Sequence, residues 1–83
     1  MANKFEDALR AQRVRYDEVD EARTVWRRTL NDYVRERTPA AKKAHGEAAV
    51  VLDAKVAALS VARGELEEAR TELKRMLIVQ ASA

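Results

Sequence analysis

The sequence predicts an all-α protein: two long helices that pair as an antiparallel coiled-coil hairpin, with a hinge around residues 38–46. Three observations predict this fold. The 83 residues include only two glycines and one proline, which leaves little chance to turn a sheet. Apolar residues recur in alternating steps of four and three in both halves of the chain, and the proline lies between those halves. The length suits one domain, residues 1–83.

The first predicted helix spans about residues 3–37. Its seam, the line of residues expected to face the second helix, has apolar or aromatic residues at seven of ten positions. That spacing is typical of a coiled coil. Asn3 is a good N-cap, and Glu6 three residues later fits a capping box. The predicted seam is Phe5, Leu9, Gln12, Tyr16, Val19, Arg23, Trp26, Leu30, Tyr33 and Arg37.

The second predicted helix spans about residues 39–80, with a break near Gly46 as an option. Leucine recurs every seventh residue from Leu52 to Leu73, with mostly small residues between. Such alternation suits a partner helix that offers aromatic rings, because bulky rings fit over alanines. The predicted seam is Ala41, His45, Ala48, Leu52, Lys55, Leu59, Ala62, Leu66, Ala69, Leu73, Met76 and Gln80.

The hinge is predicted from Thr38-Pro39. Proline disfavours helix in the residue before it and removes an amide donor, so the first helix should end by Arg37 or Thr38. Thr38 also suits the N-cap, and Pro39 the first position, of the next helix. Two forms of the hinge are compatible with the sequence: a tight turn at Thr38, or a looser segment through Gly46. The looser one is favoured, because it leaves two arms of similar length, each about 50 Å long.

The register of the two seams is predicted from which residues would face each other in an antiparallel pair. One register pairs residues whose numbers sum to 85, such as Val19 with Leu66. A register one heptad shorter would place Arg23 beside Lys55, and the like charges disfavour it. A single long helix, kinked at Pro39 and dimerising in parallel, is the competing topology. The hairpin is favoured because the two seams differ in side-chain size in a complementary way.

The sequence offers no pattern for catalysis, metal binding or cofactor binding. It has no cysteine and one histidine, His45, which has lysines nearby and is expected to be a half-exposed residue closing the seam. Phosphate-binding loops and nucleophile or zinc-binding motifs are missing. We therefore expect a non-enzyme without a small-molecule substrate. The amphipathic N-terminus and the lack of a long apolar run predict no signal peptide and no membrane partner. The expected location is the cytoplasm or a particle assembled inside a cell.

The strongest functional indication is apolar surface that two helices leave uncovered. On the side of the second helix opposite its seam, the same four-three spacing recurs, and a small two-helix core usually needs reinforcement. The leading hypothesis is a structural or assembly module that forms homo-oligomers or docks into a larger complex. Helical hairpins occur among virion components, so a viral particle is one candidate assembly. The predicted interface is Val50, Ala54, Ala57, Val61, Gly64, Leu77, Ile78 and Val79.

A basic cluster near the hinge supports an alternative function. The net charge of the chain is only +2, but cations concentrate at the end of the hairpin and could bind nucleic acid or another anion. The same cations also complement the dipole at the end of the first helix. A third hypothesis is a small regulator or inhibitor that lays one helix into a groove of another protein. The basic residues are Arg27, Arg28, Arg35, Arg37, Lys42 and Lys43.

Overall fold

The computed structural model describes residues 3–82 and contains two helices. Helix α1 spans Lys4–Glu36 and helix α2 spans Pro39–Ser82. They pack side by side in opposite directions, and the molecule measures 68 × 17 × 14 Å. The prediction of an all-α helical hairpin is confirmed.

The helix ends follow local sequence signals. The side chain of Asn3 accepts a hydrogen bond from the Glu6 amide at 2.8 Å, so the predicted N-cap of α1 is confirmed. Arg37 ends α1 in the left-handed conformation (φ 51°, ψ 36°), and its amide donates to the Tyr33 carbonyl. The Thr38 hydroxyl accepts from the Ala41 amide at 3.1 Å. Thr38 therefore caps α2, with Pro39 at its first position, as predicted.

The hinge is narrower than the predicted segment 38–46. Only Arg37 and Thr38 separate the helices, and α2 continues without interruption through Gly46. A helical glycine costs only about 1 kcal/mol relative to alanine. Ala41 and Ala48, on either side of it, are both buried. A continuous helix keeps both buried, which offsets the cost of Gly46.

The register sum of 85 that the sequence favoured is wrong, and the narrow hinge explains why. Four side-chain hydrogen bonds join the helices within residues 3–82, and the numbers of the paired residues sum to 76, 79, 73 and 74. These values lie near the shorter register that the charge argument disfavoured. A two-residue turn centred between 37 and 38 requires sums near 75, whereas the wider hinge is compatible with 85. The contacts are Lys4 with Glu72, Tyr16 with Arg63, Glu18 with Lys55 and Thr29 with His45.

The predicted seam of α2 agrees with its burial from Ala41 to Leu73. Every predicted position in this stretch is buried or half-buried, including His45 and Lys55. Met76 and Gln80 are exposed. Because Lys4, the first residue of α1, already contacts Glu72, the end of α2 extends past the start of its partner helix.

The predicted seam of α1 is half right. Its every-seventh positions, from Phe5 through Val19 to Tyr33, are buried or half-buried. Of the positions between them, Leu30 is also half-buried. Three of the others are shifted by one residue, so Ala22 is buried while Arg23 is exposed. Tyr16 is 41% exposed and lies at the edge of the seam under the Arg63 guanidinium. Tyr16 therefore contacts an arginine at the edge of the seam, whereas the alternation of side-chain sizes had predicted that its ring packs on a small residue within the seam.

The core is thin. Eight apolar residues among those described are buried, and five of them are alanine. No large side chain in the described part of the chain is less than 2% exposed. Alanines let the two helices approach closely, but each buries little apolar area. The buried residues are Val19, Ala22, Ala41, Ala48, Leu59, Ala62, Leu66 and Ala69.

Candidate interaction surfaces

The face of α2 opposite the seam is apolar and exposed; we call it the outer face. It is defined by the predicted residues Val50, Ala54, Ala57, Val61 and Gly64, all of which are exposed. Val50 is 69% exposed and Val61 is 62% exposed. A Cβ atom added at Gly64 would meet no atom within 4 Å. Packing within the hairpin therefore does not account for glycine at this position.

A second apolar surface is the C-terminal overhang, residues 74–82. Helix α2 has 44 residues and α1 has 33, a difference of 11 residues or about 16 Å of helix. The predicted residues Leu77, Ile78 and Val79 all lie there, with exposures of 55%, 66% and 63%. Ile78 and Val79 point to different sides, because consecutive helical residues are 100° apart. The overhang is therefore apolar on more than one side.

The basic residues do not form one cluster. Arg37, Lys42 and Lys43 are exposed at the turn, as predicted. Arg35 is engaged by Asp32, with an Nη2-to-Oδ1 distance of 2.8 Å. Arg27 and Arg28 are also exposed but lie about 13 Å or more along α1 from the turn. Among the described residues, the tip of the hairpin thus carries fewer cations without an ion-pair partner than the sequence predicted.

Charged residues interrupt the middle of the seam and are paired there. Glu18 accepts a hydrogen bond from Arg15 at 2.7 Å and another from Lys55 at 3.3 Å. Arg23, which is exposed beside the seam, forms an ion pair with Asp20, with an Nη1-to-Oδ1 distance of 3.9 Å. Arg23 is thus outside the seam, whereas Lys55 is half-buried and paired with Glu18, so the charge argument against the shorter register does not apply. Arg15, then Lys55, hold the pKa of Glu18 below its usual value near 4.5, although partial burial opposes this.

The paired Glu18 predicts a pH-dependent stability. A carboxyl group whose pKa is lower in the folded state stabilises the fold above its unfolded pKa, and the stabilisation is lost as the pH falls through the folded value. Glu18→Gln is therefore expected to lower the Tm by about 3 °C at pH 7 and by clearly less at pH 3. Thermal unfolding followed by circular dichroism at both pH values measures this.

Glu21→Gln is the matched control for Glu18→Gln. Glu21 lies one turn away on α1 and makes no ion pair within residues 3–82. Its replacement should leave the Tm at pH 7 nearly unchanged. A Tm difference for Glu18→Gln that is equal at pH 7 and pH 3 would contradict the ion-pair explanation.

An open groove of about 500 Å³ runs between the helices beside this cluster. Its floor is apolar and its rim carries three glutamates and one lysine. This groove could not be predicted from the sequence, because its residues come from both helices and are adjacent only in the observed register. It is lined by Glu18, Glu21, Ala22, Val25, Ala44, Glu47, Ala48, Val51 and Lys55.

The single histidine lies in the seam near the turn. His45 Nδ1 is 3.2 Å from the Thr29 hydroxyl, and its ring centroid is 5.3 Å from that of Trp26. It is half-buried, as predicted.

Within residues 3–82, no group of three or more histidine, cysteine or acidic residues is arranged to hold a metal ion. Neither α1 nor α2, as described, has a stretch long and apolar enough to span a membrane.

Two residues next to the outer face were not recognised as part of it. Lys43 was assigned to the basic cluster, and Glu68 was not assigned to any interaction surface. Both continue the four-three spacing of the outer face, through Glu47 on one side and directly after Gly64 on the other. Extending that spacing beyond the apolar residues would have found them.

In comparisons with known proteins, no family model, no curated protein and no solved structure matches this chain.

Proposed function

We propose that this protein is a non-enzymatic structural module: a helical hairpin that self-associates or docks as a small subunit in a larger protein complex. The observation that carries the proposal is the outer face, where Val50 and Val61 are more than 60% exposed on the side of α2 away from α1. Single exposed apolar residues are ordinary, but a contiguous apolar face is typical of a protein–protein contact.

The total surface supports the same proposal. The accessible area is 6570 Å², whereas a compact monomer of 9.4 kDa would expose roughly 5,000 Å². The surplus of roughly 1,500 Å² exceeds the roughly 800 Å² that one partner loses in a standard interface. An association that covered part of this surface would also reinforce a core built largely of alanine.

Replacing Ala57 by Glu tests the proposal. In an assembled particle the carboxylate would lie in an apolar contact, and desolvating an unpaired charge is costly. We expect the substitution to shift the particle to a smaller species, with association weakened at least about tenfold. Light scattering coupled to size exclusion, over a range of protein concentrations, measures the mass.

Ala40→Glu is the matched control for the assembly experiment. Ala40 is also exposed on α2 but lies in its first turn, where an acidic side chain complements the helix dipole. This variant should keep the mass of the unsubstituted protein. If the unsubstituted protein is a monomer of 9.4 kDa at every concentration and Ala57→Glu changes nothing, the self-association form of the proposal is wrong.

An anion- or nucleic-acid-binding role is the weaker candidate. Arg37, Lys42 and Lys43 at the turn support it, but Arg35 is engaged by Asp32, and Arg27 and Arg28 lie well away from the tip. Affinity for phosphates scales with the number of cations that reach them at once. For that reason we place the assembly role first.

A further inference from the structure

We infer that the partner of the outer face is a second copy of this chain, with the two α2 helices antiparallel about a two-fold axis near residues 55 and 56. This inference rests on the proposed function and specifies its partner. It also specifies a register, in which the numbers of facing residues sum to 111. In that register Val50 faces Val61 of the second copy, and Ala54 faces Ala57.

The residue pattern on the outer face is symmetric about its centre. With its extensions the face is a run of eight positions in steps of four and three, and its four central residues, Val-Ala-Ala-Val, have the same order from either end. A two-fold interface requires such self-complementarity, because each contact occurs twice with the roles exchanged. The eight residues are Lys43, Glu47, Val50, Ala54, Ala57, Val61, Gly64 and Glu68.

The two ends of the outer face are complementary in charge. In the proposed register Lys43 faces Glu68 of the second copy, and the symmetry repeats this pair at the other end. Both residues are exposed, and neither makes an ion pair within the described hairpin. Glu47 faces Gly64, whose missing side chain leaves room for it. The four central positions of the contact, from Val50 to Val61, are then apolar, and each end holds an opposite-charge pair together with Glu47 opposite Gly64.

Neighbouring registers lose this complementarity. A shift of one heptad in one direction, to a sum of 118, places Lys43 opposite Arg75. A shift in the other direction, to 104, places Lys43 against Val61. A parallel pairing in register would place each Lys43 against the other Lys43, and each Glu68 against the other Glu68. Like charges in direct contact disfavour the register of 118 and the parallel pairing. An unpaired Lys43 against Val61 disfavours the register of 104, so the antiparallel register of 111 is selected.

The length of the contact is suitable for a stable pair. Residues 43–68 span about 37 Å of helix, and small residues at its centre let the helix axes approach closely. Since the outer face lies opposite the seam, the two α2 helices would be central and the two α1 helices peripheral. The overhang would remain outside the contact: position 77 would face number 34, whereas α2 of the second copy begins at Pro39.

Charge reversal tests the register. Lys43→Glu and Glu68→Lys each create two like-charge contacts per dimer, and each is expected to raise the dimer dissociation constant about tenfold. The double variant restores both opposite-charge pairs and should return to within about threefold of the unsubstituted protein. The dissociation constant is measured by sedimentation equilibrium, and circular dichroism checks that every variant stays helical.

Cysteine crosslinking tests the direction of the pairing. The chain has no cysteine, so an introduced thiol is the only one. In the proposed register Val50→Cys and Val61→Cys face each other, whereas two copies of Cys at position 50 are about 16 Å apart along the axis. A mixture of the two single variants should therefore be joined by a short thiol-to-thiol crosslinker, and either variant alone should not.

The outcomes separate this inference from the proposed function. A dimer of about twice 9.4 kDa that crosslinks only in the mixture and is rescued by the double charge reversal supports the inference. An oligomer that crosslinks with Val50→Cys alone, or that the double reversal does not rescue, overturns it and leaves self-association standing. A monomer at all concentrations overturns both the inference and self-association, while docking into a complex with other proteins remains to be tested on its own.

Discussion

Replacing Leu59 by Ala is expected to lower the free energy of unfolding by about 3 kcal/mol. Leu59 is 6% exposed and is one of two leucines among the eight buried residues. Most of the others are alanines, so one leucine supplies a large share of the buried apolar area. The substitution also leaves a cavity that a two-helix structure fills only by bringing the helices together. Because small domains are stable by only about 5–15 kcal/mol, the loss is a large fraction of the total.

Urea unfolding followed by circular dichroism at 222 nm measures this loss, and Leu77→Ala is its control. Leu77 also lies on α2 but is 55% exposed on the overhang, so its replacement should cost less than about 0.5 kcal/mol. Both variants are compared at one protein concentration, because association adds to apparent stability. Equal losses for the two variants would show that Leu59 is not part of the core.

Replacing Ala62 by Glu is expected to unfold the hairpin or to lower its stability by about 3–5 kcal/mol. Ala62 is 5% exposed and faces α1 where the helices are close. A glutamate there either leaves a buried charge without a partner or pushes the helices apart, and an uncompensated buried charge costs about that much. Loss of the helical signal at 222 nm, or a strongly lowered urea midpoint, is the expected observation.

Ala57→Glu makes this experiment specific to the seam. It is the same substitution five residues earlier, on the outer face, so the helix propensity changes by the same amount. The isolated hairpin should tolerate it, with an effect on mass rather than on folding. If the two variants were equally stable as monomers, the assignment of the two faces of α2 would be wrong.

Much of the fold could be predicted because its signals are local. The caps at Asn3 and Thr38 depend on hydrogen bonds within three residues, and the stop at Pro39 depends on the geometry of one ring. The seam of α2 was correct from Ala41 to Leu73 because leucines and alanines mark one side of the helix unambiguously. The outer face followed from the same spacing.

The side of α1 that packs against α2 could not be predicted in the same way. Leu9 and Tyr16 are more apolar than Ala8 and Arg15, so hydrophobicity alone placed them toward α2. In the structure, the half-buried seam positions are Ala8 and Arg15, each one residue earlier than the predicted position. Ala8 is small, and Arg15 forms an ion pair. Arg15 is acceptable there because Glu18 binds it at 2.7 Å, a contact that a hydrophobic pattern does not register.

The candidate interface was predicted only in part. Val50 and Val61 were chosen for their spacing, and their exposure agrees with that choice. The overhang was underestimated, since its extent depends on where α1 begins relative to α2, which is a matter of register. The basic cluster was overestimated, because counting charges along the chain did not show that Asp32 engages Arg35 or that two turns of helix or more separate Arg28 from the tip.

The sequence by itself determined the two helices, their caps, the location of the turn and the apolar outer face of α2. These features depend on neighbours within a few residues and on a helical period that any long helix obeys. Only the tertiary structure decided the width of the turn, the register, the side of α1 that packs against α2 and the length of the overhang. Those four are linked: once Arg37 adopts a left-handed conformation and α2 starts at Pro39, the two helices can align in one way. That alignment also determines which apolar residues remain for a partner.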